Sequence, residues 1–263
     1  MKVPGVLFFS EFAGTALLIC VGLSVVIAAF SPESPVVLLV PDAGLRRLLT
    51  GFLFGATGGL IALSPVGKIS GAHINPVVTA AFWLKKKISA GHALGYIAAQ
   101  LAGAIAGAVL LLLWGKTGAA VHFGATLPGA RYTFWQAALG EAATTFALIA
   151  LLLLFLGHKR VRKFTPLLFP FLYAVMVYLE APLSGTSTNP ARSLGPEVIE
   201  WQFHAWWVYW VGPTTGMLLG LSIHRFTWLK HLELEVAKLY HFEHDPYRVF
   251  GGTNSGNEKP EKG

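Results

Sequence analysis

Charged side chains are scarce in this sequence. Asp, Glu, Lys and Arg make up 13% of its 263 residues, where a soluble domain carries roughly 25%. That shortage, with 54% hydrophobic residues and a mean hydropathy of +0.58, excludes an ordinary water-soluble globule. Cysteine is reduced to Cys20, which rules out an intramolecular disulfide. Acidic residues are outnumbered, 13 against 20 basic ones, giving a net charge of +7 and a pI near 9.6. A nucleic-acid partner is still not expected, because the Lys and Arg residues sit at the ends of apolar runs, where membrane topology accounts for them. Also missing is any Ser/His, paired-Asp or metal-ligand cluster that shares a plausible site, so neither catalysis nor a cofactor is expected. His231, His241, His244 and Asp245 come nearest to a metal set. Without a compact ligand arrangement they read as a solvated tail face.

What the chain has instead is long apolar runs. Six of them, at about 3–30, 45–64, 88–114, 134–156, 164–179 and 205–223, reach or nearly reach the ~20 residues needed to cross a bilayer. An all-α integral membrane protein is predicted, with the lipid bilayer as its solvent. Lys2 precedes the first run, as in a signal peptide. The run is too long for one, however, contains Glu11 and lacks a small-x-small cleavage site, so it reads as a retained span. A carboxylate is costly in lipid, so Glu11 should face protein or a cavity. Gly51, Gly55 and Gly59 recur every four residues in the second run, and Gly103 and Gly107 do so in the third. Such spacing puts glycines on one helix face, where backbones approach closely. The membrane-embedded region is expected over 1–225. The tail, 226–263, is expected to be partly helical and amphipathic, then disordered.

Two polar, Gly/Pro-broken stretches interrupt this pattern: SGAHINPVVTAAFWL from Ser70 and GTSTNPARSLGP from Gly185. Asn followed by Pro reads as a helix start, since Asn caps free N–H groups and Pro at the first helical position sacrifices no hydrogen bond. Short helices opening inside a hydrophobic protein predict a lined cavity, the one place at membrane depth that tolerates irregular backbone. Glu11 lies in SEFAGTALLICVG and Glu141 in GEAATTFALIALL, and Asn75 and Asn189 each follow the second span of a half. Three spans per half, about 1–115 and 130–225, is an odd number, so the halves are inverted and the site belongs near the midplane. Lys2, Lys68, Lys85, Lys86, Lys87, Lys159, Arg160, Arg162, Lys163 and Arg225 fall on one side; Arg46, Arg47, Lys116 and Arg131 fall on the other. The positive-inside bias then puts both termini in the cytoplasm.

Two Asn-Pro boxes, NPV at 75–77 and NPARS at 189–193, in inverted halves with Glu11 and Glu141, resemble the aquaporin, or major intrinsic protein, family over about residues 5–225. The resemblance implies six tilted helices plus two re-entrant half-helices meeting midway, with one pore per subunit of a homotetramer in the cell membrane. It places Asn75, Pro76, Val77, Asn189, Pro190 and Ala191 at a central constriction. Arg192, with Phe54, Val177 and Thr186, would form the outer selectivity filter. Pro65 resembles a one-residue insertion, so Gly55 competes with Phe54 for its place. Glu11 and Glu141 would brace the re-entrant loops by accepting hydrogen bonds, and His73 would help. Val77 stands where the family usually has Ala, and Val177 where strictly water-selective members have His. Arg192 also reads as a snorkelling or salt-bridged residue, and Phe54 and Val177 as ordinary packing.

The function implied is passive passage of water and small uncharged solutes, with ions and protons excluded. Val177 removes a donor from the ring, so leakage of glycerol, urea, ammonia or metalloid hydroxides is expected. A dedicated glycerol or metalloid-hydroxide facilitator is the same-family alternative. An inverted-repeat secondary transporter coupled through Glu11 and Glu141 is the remote one.

Overall fold

The structure, a computed structural model, describes residues 5–226 and 234–251. Six long helices and two short ones carry the fold. The first half contains α1 (Gly5–Phe30), α2 (Ala43–Leu63), the short α3 (Pro76–Leu84) and α4 (Ala90–Leu111). The second contains α5 (Phe134–Gly157), α6 (Thr165–Ser184), the short α7 (Pro190–Glu200) and α8 (Val208–Phe226). Starts follow local chemistry. Asp42 Oδ1 accepts from Leu45 N at 2.6 Å, and Thr133 with Gln136 forms a capping box at α5, satisfying N–H groups that lack an intrahelical partner. Among the described residues there is no strand.

The halves pack in matching pairs: α1 on α4, α5 on α8, and α2 against α6 between them. Each short helix leans on the last long helix of the other half, α7 on α4 and α3 on α8. The glycine faces are used inside the subunit. A Cβ at Gly51 or Gly55 would lie 2.2 or 2.3 Å from the Tyr173 or Phe169 carbonyl oxygen of α6, and one at Gly103 would lie 2.2 Å from that of Phe12. Bare backbone is what lets α2 meet α6, and α4 meet α1, this closely.

The outer surface is apolar: Phe9 is 66% exposed, Leu139 70% and Phe171 64%. Gly5–Phe30, Ala90–Ala119, Phe134–Gly157 and Arg162–Ser184 are each long and apolar enough to cross a membrane. The chain is an integral membrane protein.

Two details differ from the sequence reading. The fifth span runs on to Ser184 instead of stopping near 179. Glu180, which looks like a terminator, is buried and takes the hydroxyls of Ser184 and Thr186. The tail helix expected from 226 would begin on 227–233, which lie outside the described residues, as does His231. From 234 to 251 the chain is not helical. Its N–H groups find other acceptors there: Ala237 N donates to Phe250 O at 3.0 Å, and Leu239 N donates to Gly71 O at 3.0 Å.

Candidate functional site: two re-entrant loops and the passage beside them

Residues 70–76 and 184–190 follow one pattern, Ser-Gly-x-x-x-Asn-Pro. Each loop opens on a glycine in the left-handed region, Gly71 at φ 87° and Gly185 at φ 90°, ending the helix before it in a conformation costly to other residues. Ala72 and Ile74 have φ of 55° and 42°, and Thr186 and Thr188 have 55° and 52°. Positive φ at Ile and Thr is strained, at roughly 1–3 kcal/mol each, so something must hold these loops. Glu11 accepts from His73 N at 2.9 Å and Ile74 N at 2.7 Å, and Glu141 accepts from Ser187 N at 2.7 Å and Thr188 N at 2.8 Å. Both carboxylates are fully buried. Tyr96 and Tyr209 complete the symmetry, each donating its hydroxyl at 2.8 Å to the carbonyl of the loop serine, Ser70 or Ser184.

The loop tips meet. Asn75 Nδ2 donates to Thr188 O at 3.0 Å, and Asn189 Nδ2 donates to Ile74 O at 2.9 Å. Each side-chain oxygen caps its own helix, accepting from Val77 N or Ala191 N at 3.0 Å. One amide hydrogen per Asn is thus tied to the opposite loop, leaving a second to donate. Pro76 and Pro190 follow as first-turn residues of α3 and α7.

Two cavities lie along this junction. The wider, about 310 Å³, has Phe54, Val177, Thr186 and Arg192 together in its wall, beside Arg47 and Thr50. Arg192 is only 5% exposed, and its Nη1 has no hydrogen-bond partner in the protein. The narrower, about 40 Å³, is lined by both Asn75 and Asn189, with His73, Val78, Leu148 and Leu239. Phe54 and Tyr173 border both, so the two spaces adjoin. Gly55 touches the narrow space only, its face packed on the Phe169 backbone. Val77 is buried in the apolar core with Ala191, and neither is in either cavity wall; the valine lining the narrow space is Val78.

Residues 6–224 match the family described as Major intrinsic protein. The chain belongs to that family. Its relatives include the "Probable aquaporin PIP2-7" of Oryza sativa subsp. japonica, 32% identical over 228 residues, covering 82% of this chain and 77% of the rice protein. "Aquaporin AqpM" of Methanothermobacter marburgensis is 30% identical over 243 residues, covering 82% of this chain and 95% of its own. Among solved structures, the aquaglyceroporin from Plasmodium falciparum superposes with a TM-score of 0.70 over 88% of this chain and 99% of its own. At 20% identity that likeness establishes the fold: six spanning helices and two half-helices in inverted repeats.

In this major intrinsic protein the sequence reading gave no loop-holding role to several residues that build the site. Tyr96 and Tyr209 hold the loop serines. Gln100 Nε2 donates to Glu11 at 2.7 Å and to Thr79 at 2.8 Å, and Tyr173 meets Thr188 at 2.7 Å. Lone tyrosines and glutamines inside apolar runs carry no periodic signal. The repeated Ser-Gly-x-x-x-Asn-Pro string was the available clue to the paired tyrosines.

Proposed function

We propose that this chain is a passive channel for water and small uncharged solutes, without covalent chemistry or energy coupling. One observation carries the reading: the crossed Asn75 and Asn189 hydrogen bonds put both amides in the wall of a single narrow space. Both half-helix N-termini point there, each equivalent to roughly half a positive charge. That field opposes cations, a barrier described for aquaporins generally. A water oxygen accepting from both free amide hydrogens is turned so that it cannot relay a proton along the file. Arg192, with an unpaired Nη1 in the wall of the wider cavity, adds fixed positive charge and a donor for solutes at the filter it forms with Phe54, Val177 and Thr186.

The filter is proposed to pass solutes beyond water, because Val177 offers neither a donor nor an imidazole's bulk. Stopped-flow light scattering on proteoliposomes tests both parts. Water flux above that of empty vesicles supports the channel, and no measurable glycerol or urea flux removes the leak. Val177→His should cut glycerol flux about tenfold, the order a pocket change of one group commands, with a smaller effect on water. Solute uptake against a gradient would instead favour a coupled transporter. We further propose a homotetramer in the cell membrane, with both termini cytoplasmic. The even number of spans supports the common side of the termini. So does the meeting of Lys159 and Arg162 with the tail's Glu235.

A further inference from the structure

The tail beyond the family match forms the floor of the narrow cavity. Leu239 lies in its wall with Asn75, Asn189 and His73. Its backbone runs against the first re-entrant loop: besides the Leu239 N bond to Gly71 O, His73 Nε2 donates to Ala237 O at 2.8 Å. There is no room between them, since a Cβ at Gly71 would lie 2.9 Å from Ala237 O. Leu234, Ala237, Leu239 and Phe250 are all at most 3% exposed, a degree of burial unlike a solvated tail face.

The segment is folded on itself and then tied down. Asp245 accepts from Val249 N and Phe250 N, each at 2.9 Å, which turns the chain so that Phe250 O reaches Ala237 N. Lys238 is buried beneath this turn, donating to Lys68 O and His244 O at 2.6 Å each, with its Nζ 4.8 Å from the centre of the Phe250 ring. His241 Nε2 donates to Leu63 O at 2.9 Å. At the rim, Glu235 pairs with Arg162 and with Lys159 at 3.2 Å. Lys159 is 82% exposed and Glu235 43%, and such exposed pairs hold only weakly. Most tail contacts therefore lie at one end of the pore and leave its other cavity, about 310 Å³, untouched.

We propose that residues 234–251 are a built-in stopper, with Leu239 closing the lysine-rich mouth of the pore below the Asn pair. An isobutyl group offers a water file no hydrogen bond, while the adjacent tail amide occupies the Gly71 carbonyl and Ala237 O occupies the His73 ring N–H. A space of about 40 Å³ holds no more than about three or four waters, given that each needs roughly 10–15 Å³. Opening requires the tail to leave as a unit, because its anchors are bonds to the loop carbonyls and to the α5–α6 turn.

The inference rests on the channel reading, and one experiment separates their failures. Water permeability of proteoliposomes is compared for the full chain, a chain ending at Phe226, and the full chain carrying Leu239→Gly. The glycine variant keeps every backbone anchor and covers the case in which truncation impairs folding. If nine in ten copies are docked, both changes raise flux per folded protein about tenfold, and Leu239→Trp stays as slow as the parent. Equal, high flux from all variants overturns the stopper and leaves the channel standing. No flux above empty vesicles from any folded variant overturns both.

Discussion

Glu11 and Glu141 each hold a strained loop by accepting two backbone N–H groups while buried. A charged acceptor is needed because two donors converge on it, and each such bond is worth roughly 1.5–3 kcal/mol. Glu141→Gln keeps the shape but points an amide NH2 at one of the donors. We expect a fall in stability of about 3 kcal/mol or more, read as a lowered thermal midpoint of the detergent-solubilised protein. Unchanged stability would show that the carboxylate is not what holds the loop. Lys238 is a different kind of buried charge. Burial pushes its pKa from 10.5 down to about 8, a fall that Asp245 opposes and Lys68 reinforces, with His244 and His241 close by. The released tail would titrate near 10.5, so between these values release takes up a proton and docking strengthens as pH rises. Full-chain water flux should therefore fall between about pH 8 and about pH 10.5 on the tail's side, while the truncated chain stays flat. A flux that rises in the full chain alone would contradict that sign.

Among the elements, the glycine contacts decide how close the long helices come. Gly51 faces the Tyr173 carbonyl, where a Cβ would sit at 2.2 Å from a backbone atom that cannot swing away. Gly51→Val should part α2 from α6 and cost about 1–3 kcal/mol or more by overpacking. Gly91, on α4, has nothing within 4 Å of its Cβ position. Gly91→Ala should be neutral or stabilising by up to about 1 kcal/mol. Thermal unfolding of the two variants in the same detergent makes the comparison, and an equal loss from both would show that general helix propensity, not close approach, sets the cost. The same helices explain how α6 carries Glu180 at its end: the side chain is met by Ser184 and Thr186 from its own turn and loop.

For the whole molecule, the inverted repeat is the organising fact. α1 and α4 correspond to α5 and α8 as packed pairs, and Gly71 to Gly185, Tyr96 to Tyr209 and Glu11 to Glu141 as loop supports. Under the proposed topology, six full crossings put both ends of the chain on one side of the membrane. Reporters fused at either end should both be accessible from the cytoplasm in intact cells; opposite accessibility would mean that one of the six does not cross. The symmetry is broken where the tail enters, since only the loop at 70–76 has Leu239 and Ala237 against it.

The caps, the apolar runs and the Asn-Pro starts were legible because each rests on residues a few positions apart. The family could be read from the two boxes, and Val177, Thr186 and Arg192, with either Phe54 or Gly55, could be named as a set before any contact was known. Whether Val77 or Val78 faces the passage was not legible, because that choice depends on how α3 is rotated against its neighbours. Nor was the tail's conformation: an amphipathic helix was expected, yet Ala237 N pairs with Phe250 O and Leu239 N with Gly71 O. Sequence alone thus determined that the chain spans a membrane as two inverted halves with two short helices inside it, since those signals are local and repeated. Tertiary structure alone decided that Ala237 meets His73 across 164 residues and that Leu239 lies beneath the two asparagines. Such a contact depends on shape and unpaired backbone groups brought together by folding, which no local pattern records.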